Sequence, residues 1–238
     1  MLRNLVTIGV SAAVLFAVSS ASAQPAGAAF GDEHQAILSV DRLMPIFQYE
    51  NDKASPNGGS GGYTVSYFGL VTHGTQATFY NIPRFAFDYT VWKHLTVGGS
   101  AYIWVQTGSN YYICANGGPC VDQPSPAKTT FFGIAPRVGW ILQFSDIFSF
   151  WPRGGISFND ATHSSYVTTV GAFGGGTTTQ FALDLEPMFA FTPVPHAGIT
   201  FGGNIDIPIT GSVDNNNGTS TDTAQFAFGL NAGLLIWF

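Results

Sequence analysis

Charged side chains are scarce in this chain, at 9% of 238 residues, where an average soluble domain has about 25%. Cations are the rarer kind, with eight Lys and Arg against fourteen Asp and Glu. This acidic balance argues against nucleic acid as a partner, because nucleic-acid binding needs clustered Lys and Arg. The low charge also indicates that water does not cover the whole outer surface of the folded protein.

Long apolar runs are missing as well, except at the amino terminus. There Arg3 precedes the apolar run Leu5 to Val18, and Ala21-Ser22-Ala23 forms a small-x-small cleavage site. These features predict a signal peptide over residues 1–23 and a short extension over residues 24–34. An uncleaved anchor is the alternative. No other stretch reaches the ~20 apolar residues that a spanning helix needs, so any membrane-bound part must cross with strands.

What the chain does contain is alternation. From residue 224 to the last residue, apolar side chains occupy every second position and polar or small ones the positions between, which predicts a strand with one apolar face. Residues 85–90, 95–106, 132–142, 148–158, 178–192 and 196–210 repeat the pattern. We expect these faces to contact lipid. A soluble barrel with the apolar faces inside would expose charges among many glycines and prolines.

The lengths of the connections predict the topology. Short turns at 92–94, 144–146 and 193–195 alternate with long polar stretches at 50–80, 108–128, 159–177 and 211–222. Three short and four long connections define eight strands of an antiparallel up-and-down transmembrane β-barrel in one domain, residues 35–238. The short connections are predicted to be periplasmic turns and the long ones external loops. The first strand, 35–49, has a predicted bulge at Asp41-Arg42. Tyr63–Val71 is strand-like too, but a ninth strand would separate the chain ends, so we place it in the first external loop as an extension or an inward fold.

The signal peptide, the alternation and the ending Leu234-Leu235-Ile236-Trp237-Phe238 together resemble the small bacterial outer-membrane β-barrels of the OmpA and OmpX transmembrane-domain kind. The resemblance implies a location in the bacterial outer membrane, contact with its lipid, and insertion by the β-barrel assembly machinery. In that family the terminal alternating residues are the assembly signal, here Leu234, Ile236 and Phe238. No motif identifies a subfamily, so only fold and compartment are implied.

Three tryptophans fall within a few residues of the short-turn side of the predicted barrel. Trp92, Trp140 and Trp237 are therefore predicted as interface aromatics, because amphipathic rings favour the boundary between lipid and water. Core packing in a soluble sandwich is the alternative.

The predicted inner face carries a set of charges that is the main candidate site. Asp41 or Arg42 is expected to join it. Because an eight-stranded lumen holds little more than side chains, we expect ion pairs that plug it; the alternative is a narrow pore for small solutes or ions. The set consists of Arg84, Asp88, Arg137, Arg153, Asp184, Glu186 and Asp206.

No catalytic, cofactor or metal site is predicted. The five histidines lack metal-ligand spacing, and Asp184 and Glu186, which could share a proton, are more simply partners of the arginines. A lipid-modifying enzyme would need a group such as His163 with Asp160 and the neighbouring serines, which we interpret as solvated loop.

Cys114 and Cys120, in the second long loop of an exported chain, are predicted to form a disulfide. The sequence therefore favours a structural or surface-presenting protein without enzymatic activity. The ligand of its external loops is not identified.

Overall fold

The computed structural model describes residues 29–54, 61–68, 78–106, 112–114, 120–122, 128–164, 166–168, 171–173, 175–215 and 218–238. The predicted signal peptide and residues 24–28 of the predicted extension lie outside these residues. Among the described residues, no helix is long and apolar enough to cross a membrane. The strands are β1 (Ala36–Ala54), β2 (Gly61–Phe68), β3 (Arg84–Trp92), β4 (Leu95–Gln106), β5 (Tyr112–Cys114), β6 (Cys120–Asp122), β7 (Thr129–Trp140), β8 (Leu142–Ser145), β9 (Phe148–His163), β10 (Tyr166–Thr168), β11 (Gly171–Phe173), β12 (Gly176–Val194), β13 (Ala197–Asn215) and β14 (Ser220–Trp237).

Eight of these strands close into a ring. Its order is β1, β3, β4, β7, β9, β12, β13 and β14, and β14 pairs with β1. Every neighbour is antiparallel. The short β8 continues β7 beyond Ile141 and stays paired with β9. The predicted all-β, eight-stranded, up-and-down barrel is confirmed.

The seam between the first and last strands is continuous. It runs from the pair Ile37 and Trp237 to the pair Ala54 and Thr223, and Ala36 and Phe238 exchange backbone hydrogen bonds of 2.9 and 3.0 Å. The register shifts between Val40 and Met44, where Arg42 has a φ of 55°. This is the bulge predicted from the broken alternation, and it turns two successive charged residues into the lumen.

The two faces of the barrel wall differ as the alternation predicts. Outward side chains such as Phe85 (48% exposed) and Ile103 (73%) are apolar, whereas inward ones are charged, polar or small. Trp92 and Trp140 lie on the outside near the short turns, 69% and 47% exposed. The interpretation of Trp237 was wrong: it alternates with the outward Ile236 and Phe238, so it points into the lumen, where it is 4% exposed.

The short turns all lie at the end of the barrel where the chain terminates. They occupy residues 93–94, 146–147 and 195–196, within two residues of the predictions. His94 and His196 adopt left-handed φ values of 71° and 65° in two of them. The predicted long loop at 211–222 is wrong, because β13 continues to Asn215 and β14 starts at Ser220. The backbone ladder from Ser212 with Asp222 to Asp214 with Ser220 extends the wall beyond the apolar band.

One segment leaves the wall between β2 and β3. The outer half of β1 pairs with β2, from Phe47 with Phe68 to Ala54 with Gly61, and its inner half pairs with β3. Residues 78–83, which we call the inserted segment, lie between these strands and inside the barrel. The strand-like Tyr63–Val71 is thus an extension along β1 over its described part, and residues 78–83 fold inward.

Candidate functional site: a sealed layer of charges in the lumen

All seven predicted interior charges lie inside the barrel, joined by Asp41 and Arg42 from the bulge of β1. None of the nine is more than 6% exposed. They come from β1, β3, β7, β9, β12 and β13, six of the eight wall strands. The alternation of each strand directs them inward, and pairing across the lumen then determines their contacts.

Arg137 is the most connected cation of this layer. Its Nη1 lies 2.6 Å from Asp41 Oδ2 and 3.2 Å from Glu186 Oε2. Its Nη2 and Nε donate to the two oxygens of Asp88, at 2.6 and 3.1 Å. The planar fork of one guanidinium thus bridges three carboxylates of three strands, which a lysine could not do.

Two further arginines extend the network. Arg153 lies 3.2 Å from Asp41 and 2.9 Å from Glu186. Arg42 donates to both oxygens of Asp206, at 3.2 and 3.0 Å, and contacts Glu186 at 3.4 Å. Because each cation touches more than one strand, the ion pairs cross-link the barrel wall from inside.

Asp184 has the weakest cationic contact of the five acids. It accepts one hydrogen bond from Arg84 Nη1 at 3.2 Å and one from Ser157 Oγ at 2.9 Å. Directly across the β12–β13 ladder its partner residue is Asp206, which also accepts from Asn204 at 3.1 Å. The layer therefore holds five carboxyl groups and four guanidinium groups.

An apolar layer closes the lumen on the short-turn side. Phe30, from the segment before β1, inserts between Trp151 and Trp237 with ring centroids 5.5 and 5.3 Å apart. Gln143 Nε2 donates to the carbonyl oxygen of Phe30 at 2.6 Å and anchors it. Arg153 stacks on Trp151 at 4.6 Å, so the charges rest directly on this layer. Its buried members are Phe30, Ile37, Ile141, Trp151, Ala190, Leu235 and Trp237.

A second apolar layer closes the opposite side, and the inserted segment provides its centre. Phe79 packs edge-on against Phe131 at 5.8 Å, and Tyr80 Oη donates to the backbone oxygen of Gln225 at 2.8 Å. Arg42 and Arg84 donate to the backbone oxygens of Tyr80 and Phe79, at 3.3 and 3.2 Å. The charged layer thus holds the segment in place. The buried members of this second apolar layer are Phe79, Tyr80, Ile82, Tyr102, Phe131, Ala161 and Ala227.

The sequence pattern did not reveal either insertion. Phe30 precedes the alternating region, and residues 78–83 lie in a stretch that the pattern assigns to an external loop. The only signal was composition: aromatic residues at 79 and 80 interrupt a polar stretch. A buried aromatic pair in a loop needs a receiving cavity, and alternation alone does not locate one.

The remaining predicted sites do not assemble into a reactive centre. His163 Nδ1 lies 2.9 Å from Thr129 Oγ1, whereas Asp160 accepts from Thr162 and Thr179 on the outer face. Ser164 Oγ accepts from the backbone of Lys128. In the described part of the chain, no group of three His, Cys, Asp or Glu side chains could hold a metal ion.

Cys114 and Cys120 face each other across the β5–β6 ladder. Their side chains lie outside the described ones, so the disulfide stays a prediction. Leu234 and Phe238 point outward, both 50% exposed, on the same face as Ile236.

A closed barrel that is apolar outside and charged inside has the inverse of a soluble protein's surface. Only lipid can cover such a wall, since its backbone groups are already paired and its exposed band is apolar. The chain is therefore a transmembrane β-barrel by architecture.

Comparison with known proteins adds similarity of fold alone. No protein-family model and no curated protein matches the chain. Among solved structures, it is similar to OprG from Pseudomonas aeruginosa (TM-score 0.44, 11% identity, 87% of this chain and 98% of that one). It is also similar to the protease OmpT from Escherichia coli (0.41, 11%, 89% and 98%) and to Ail of Yersinia pestis (0.37, 12%, 86% and 99%).

Proposed function

We propose that the protein is an outer-membrane barrel with a closed lumen, a structural component that presents its external loops at the bacterial surface. The observation that carries this proposal is the order of the layers along the lumen. A layer of ion-paired side chains lies between two apolar layers, and each apolar layer is centred on aromatic side chains from outside the wall strands. A solute would have to displace both.

The energetics favour a plug over a conduit. An ion crossing this lumen must replace hydrogen bonds to buried guanidinium groups, and separating one such pair leaves a buried charge that costs about 3 to 5 kcal/mol. Hydrated pores instead keep their charged groups in contact with water. The narrow pore is therefore the alternative outcome of the test.

Planar-bilayer recordings of the refolded protein test the proposal. We expect no steady single-channel steps under conditions in which a reference porin conducts. Steady steps that Arg137→Ala alters, while the control Lys93→Ala at an exposed short turn leaves them unchanged, would establish the pore. Steps that neither variant alters would show conduction along a path that Arg137 does not line. They would also contradict the proposal that the barrel does not conduct.

We also propose that the protein is not an enzyme. Asp160 and His163 have separate partners on opposite faces of β9, which supports this. Lipid A from cells that overproduce the protein is expected to keep its mass. A mass change that disappears in His163→Ala would overturn the proposal.

A further inference from the structure

The sealed layer has a charge imbalance that the ion pairs do not resolve. Its four guanidinium groups are always protonated, and five carboxyl groups face them. Lys93 and Lys128, the lysines whose side chains the structure describes, are exposed and lie outside this layer. A buried net charge is expensive where low dielectric replaces water. Either the layer carries an uncompensated negative charge or one acid is neutral.

The position of the excess acid follows from the contacts. Asp41, Asp88, Glu186 and Asp206 each accept two or more hydrogen bonds from guanidinium groups. Asp184 accepts only one. Asp184 is therefore the acid that the four cations neutralise least.

Asp184 and Asp206 are also neighbours. They are directly opposed in the β12–β13 ladder, and both are buried in the lumen, so their carboxyl groups lie side by side. Two ionised carboxylates have no proton to donate, so a hydrogen bond between them requires one to be protonated. Apolar layers on both sides withhold water that could otherwise separate the charges.

We propose that Asp184 and Asp206 share one proton in the folded protein, held on Asp184 and donated to Asp206. The charged layer then contains four ionised acids and four arginines and is neutral; the buried Glu50 of β1 lies outside this layer, where Thr78 Oγ1 donates to it. The groups that face this pair are Arg84 of β3, Arg42 of β1, Tyr102 of β4, Tyr80 of the inserted segment and, along β12, Glu186. The tyrosines are neutral. Arg42 binds the ionised Asp206 and Glu186, and Arg84 donates to Asp184, whose oxygen still accepts when the group is protonated.

If the two acids share a proton, the chain takes up one proton when it folds. In the unfolded chain both acids are ionised above about pH 5, whereas the folded pair keeps one proton. The folded state then binds more protons, so its stability falls as pH rises. For one proton, the folding equilibrium constant decreases about tenfold per pH unit.

Infrared spectroscopy of the refolded barrel at about pH 7 detects the proton directly, because exposed carboxyls are ionised there. We expect the carbonyl band of a protonated acid in the wild type and no such band in Asp184→Asn, whose amide can donate to Asp206 in the proton's place. The control Asp146→Asn should keep the band, because it changes an exposed acid at a short turn outside the charged layer. A wild type without the band, or a band that persists in Asp184→Asn, would overturn the proposal.

Urea unfolding in micelles between about pH 5 and 7 gives a second readout that does not depend on the spectrum. The wild type and Asp146→Asn should share the tenfold loss per pH unit relative to Asp184→Asn. Equal slopes in wild type and Asp184→Asn would also overturn the shared proton. A bound monovalent cation would then be the group that neutralises the excess negative charge of the layer.

Discussion

Phe30 is the residue on which the short-turn end of the lumen depends. It is 2% exposed although it precedes the first strand, and it holds Trp151 and Trp237 apart by edge-on contacts. The backbone around it is fixed by Gly31 N donating to Gln35 Oε1 at 2.9 Å. This arrangement makes a segment outside the wall part of the interior.

Phe30→Ala is expected to destabilise this end by about 3 kcal/mol, the usual cost of removing a buried phenyl ring. Water should then reach the two tryptophans, so their emission should shift to longer wavelength. Fluorescence with a soluble quencher measures this. Phe85→Ala, which removes a ring from the lipid-facing side, should leave the quenching unchanged, and equal quenching in both variants would contradict the plugging role of Phe30.

At this scale the sequence predicts orientation better than partners. Alternation places Arg137 and Asp184 inward because each lies between outward apolar neighbours. It cannot predict that Arg137 binds three acids and Asp184 only one arginine, since those contacts depend on stagger between strands and on the bulge at Arg42. Trp237 was assigned to the membrane interface because it is a tryptophan, although the alternation of β14 places it inward.

Among the elements, β14 carries the outward residues for which the family resemblance implies a role in assembly. The side chain of Phe238 is half exposed, and only its backbone joins Ala36. Its ring therefore contributes little to the finished wall.

We expect Phe238→Ala to leave the urea midpoint of the purified, refolded barrel nearly unchanged while reducing the amount inserted in cells several-fold. Quantifying folded protein in outer-membrane fractions tests this. Phe144→Ala, at an exposed ring beside a short turn (63% against 50% for Phe238), is the matched control. If both variants insert like the wild type, the terminal ring is not an assembly signal.

The wall strands could be predicted because their two environments differ in polarity along the whole band. Beyond that band both faces of β13 and β14 are polar, the contrast disappears, and the pattern resembles a loop. The inserted segment escapes prediction for a different reason: its burial depends on a void that exists only once eight strands have closed.

At the scale of the whole molecule, the internal cross-links should make the barrel hard to unfold. Without heating, the wild type should keep its compact shape in sodium dodecyl sulfate and migrate faster than the heated chain. Arg137→Ala leaves up to three buried acids without this cation and should lower the free energy of unfolding by about 3 to 5 kcal/mol. The variant should therefore lose the compact band at a clearly lower temperature.

Gel migration after stepwise heating measures both effects. Lys93→Ala, at an exposed turn, is expected to behave like the wild type. A wild type that migrates identically before and after boiling would contradict the barrel fold. If Arg137→Ala loses its compact band at the same temperature as the wild type, the ion pairs do not contribute to the stability of the barrel.

Withdrawing the arginines into the lumen also determines where a protease can act. Apart from Arg3, the chain has arginine only at positions 42, 84, 137 and 153, and all four are buried. Among the described residues, trypsin can therefore cleave the folded chain only after lysine. Lys93 and Lys128 are the lysines that the structure shows to be exposed. Because Lys93 lies at a short turn and Lys128 at the opposite end, a digest of intact cells should spare the first and nick the second.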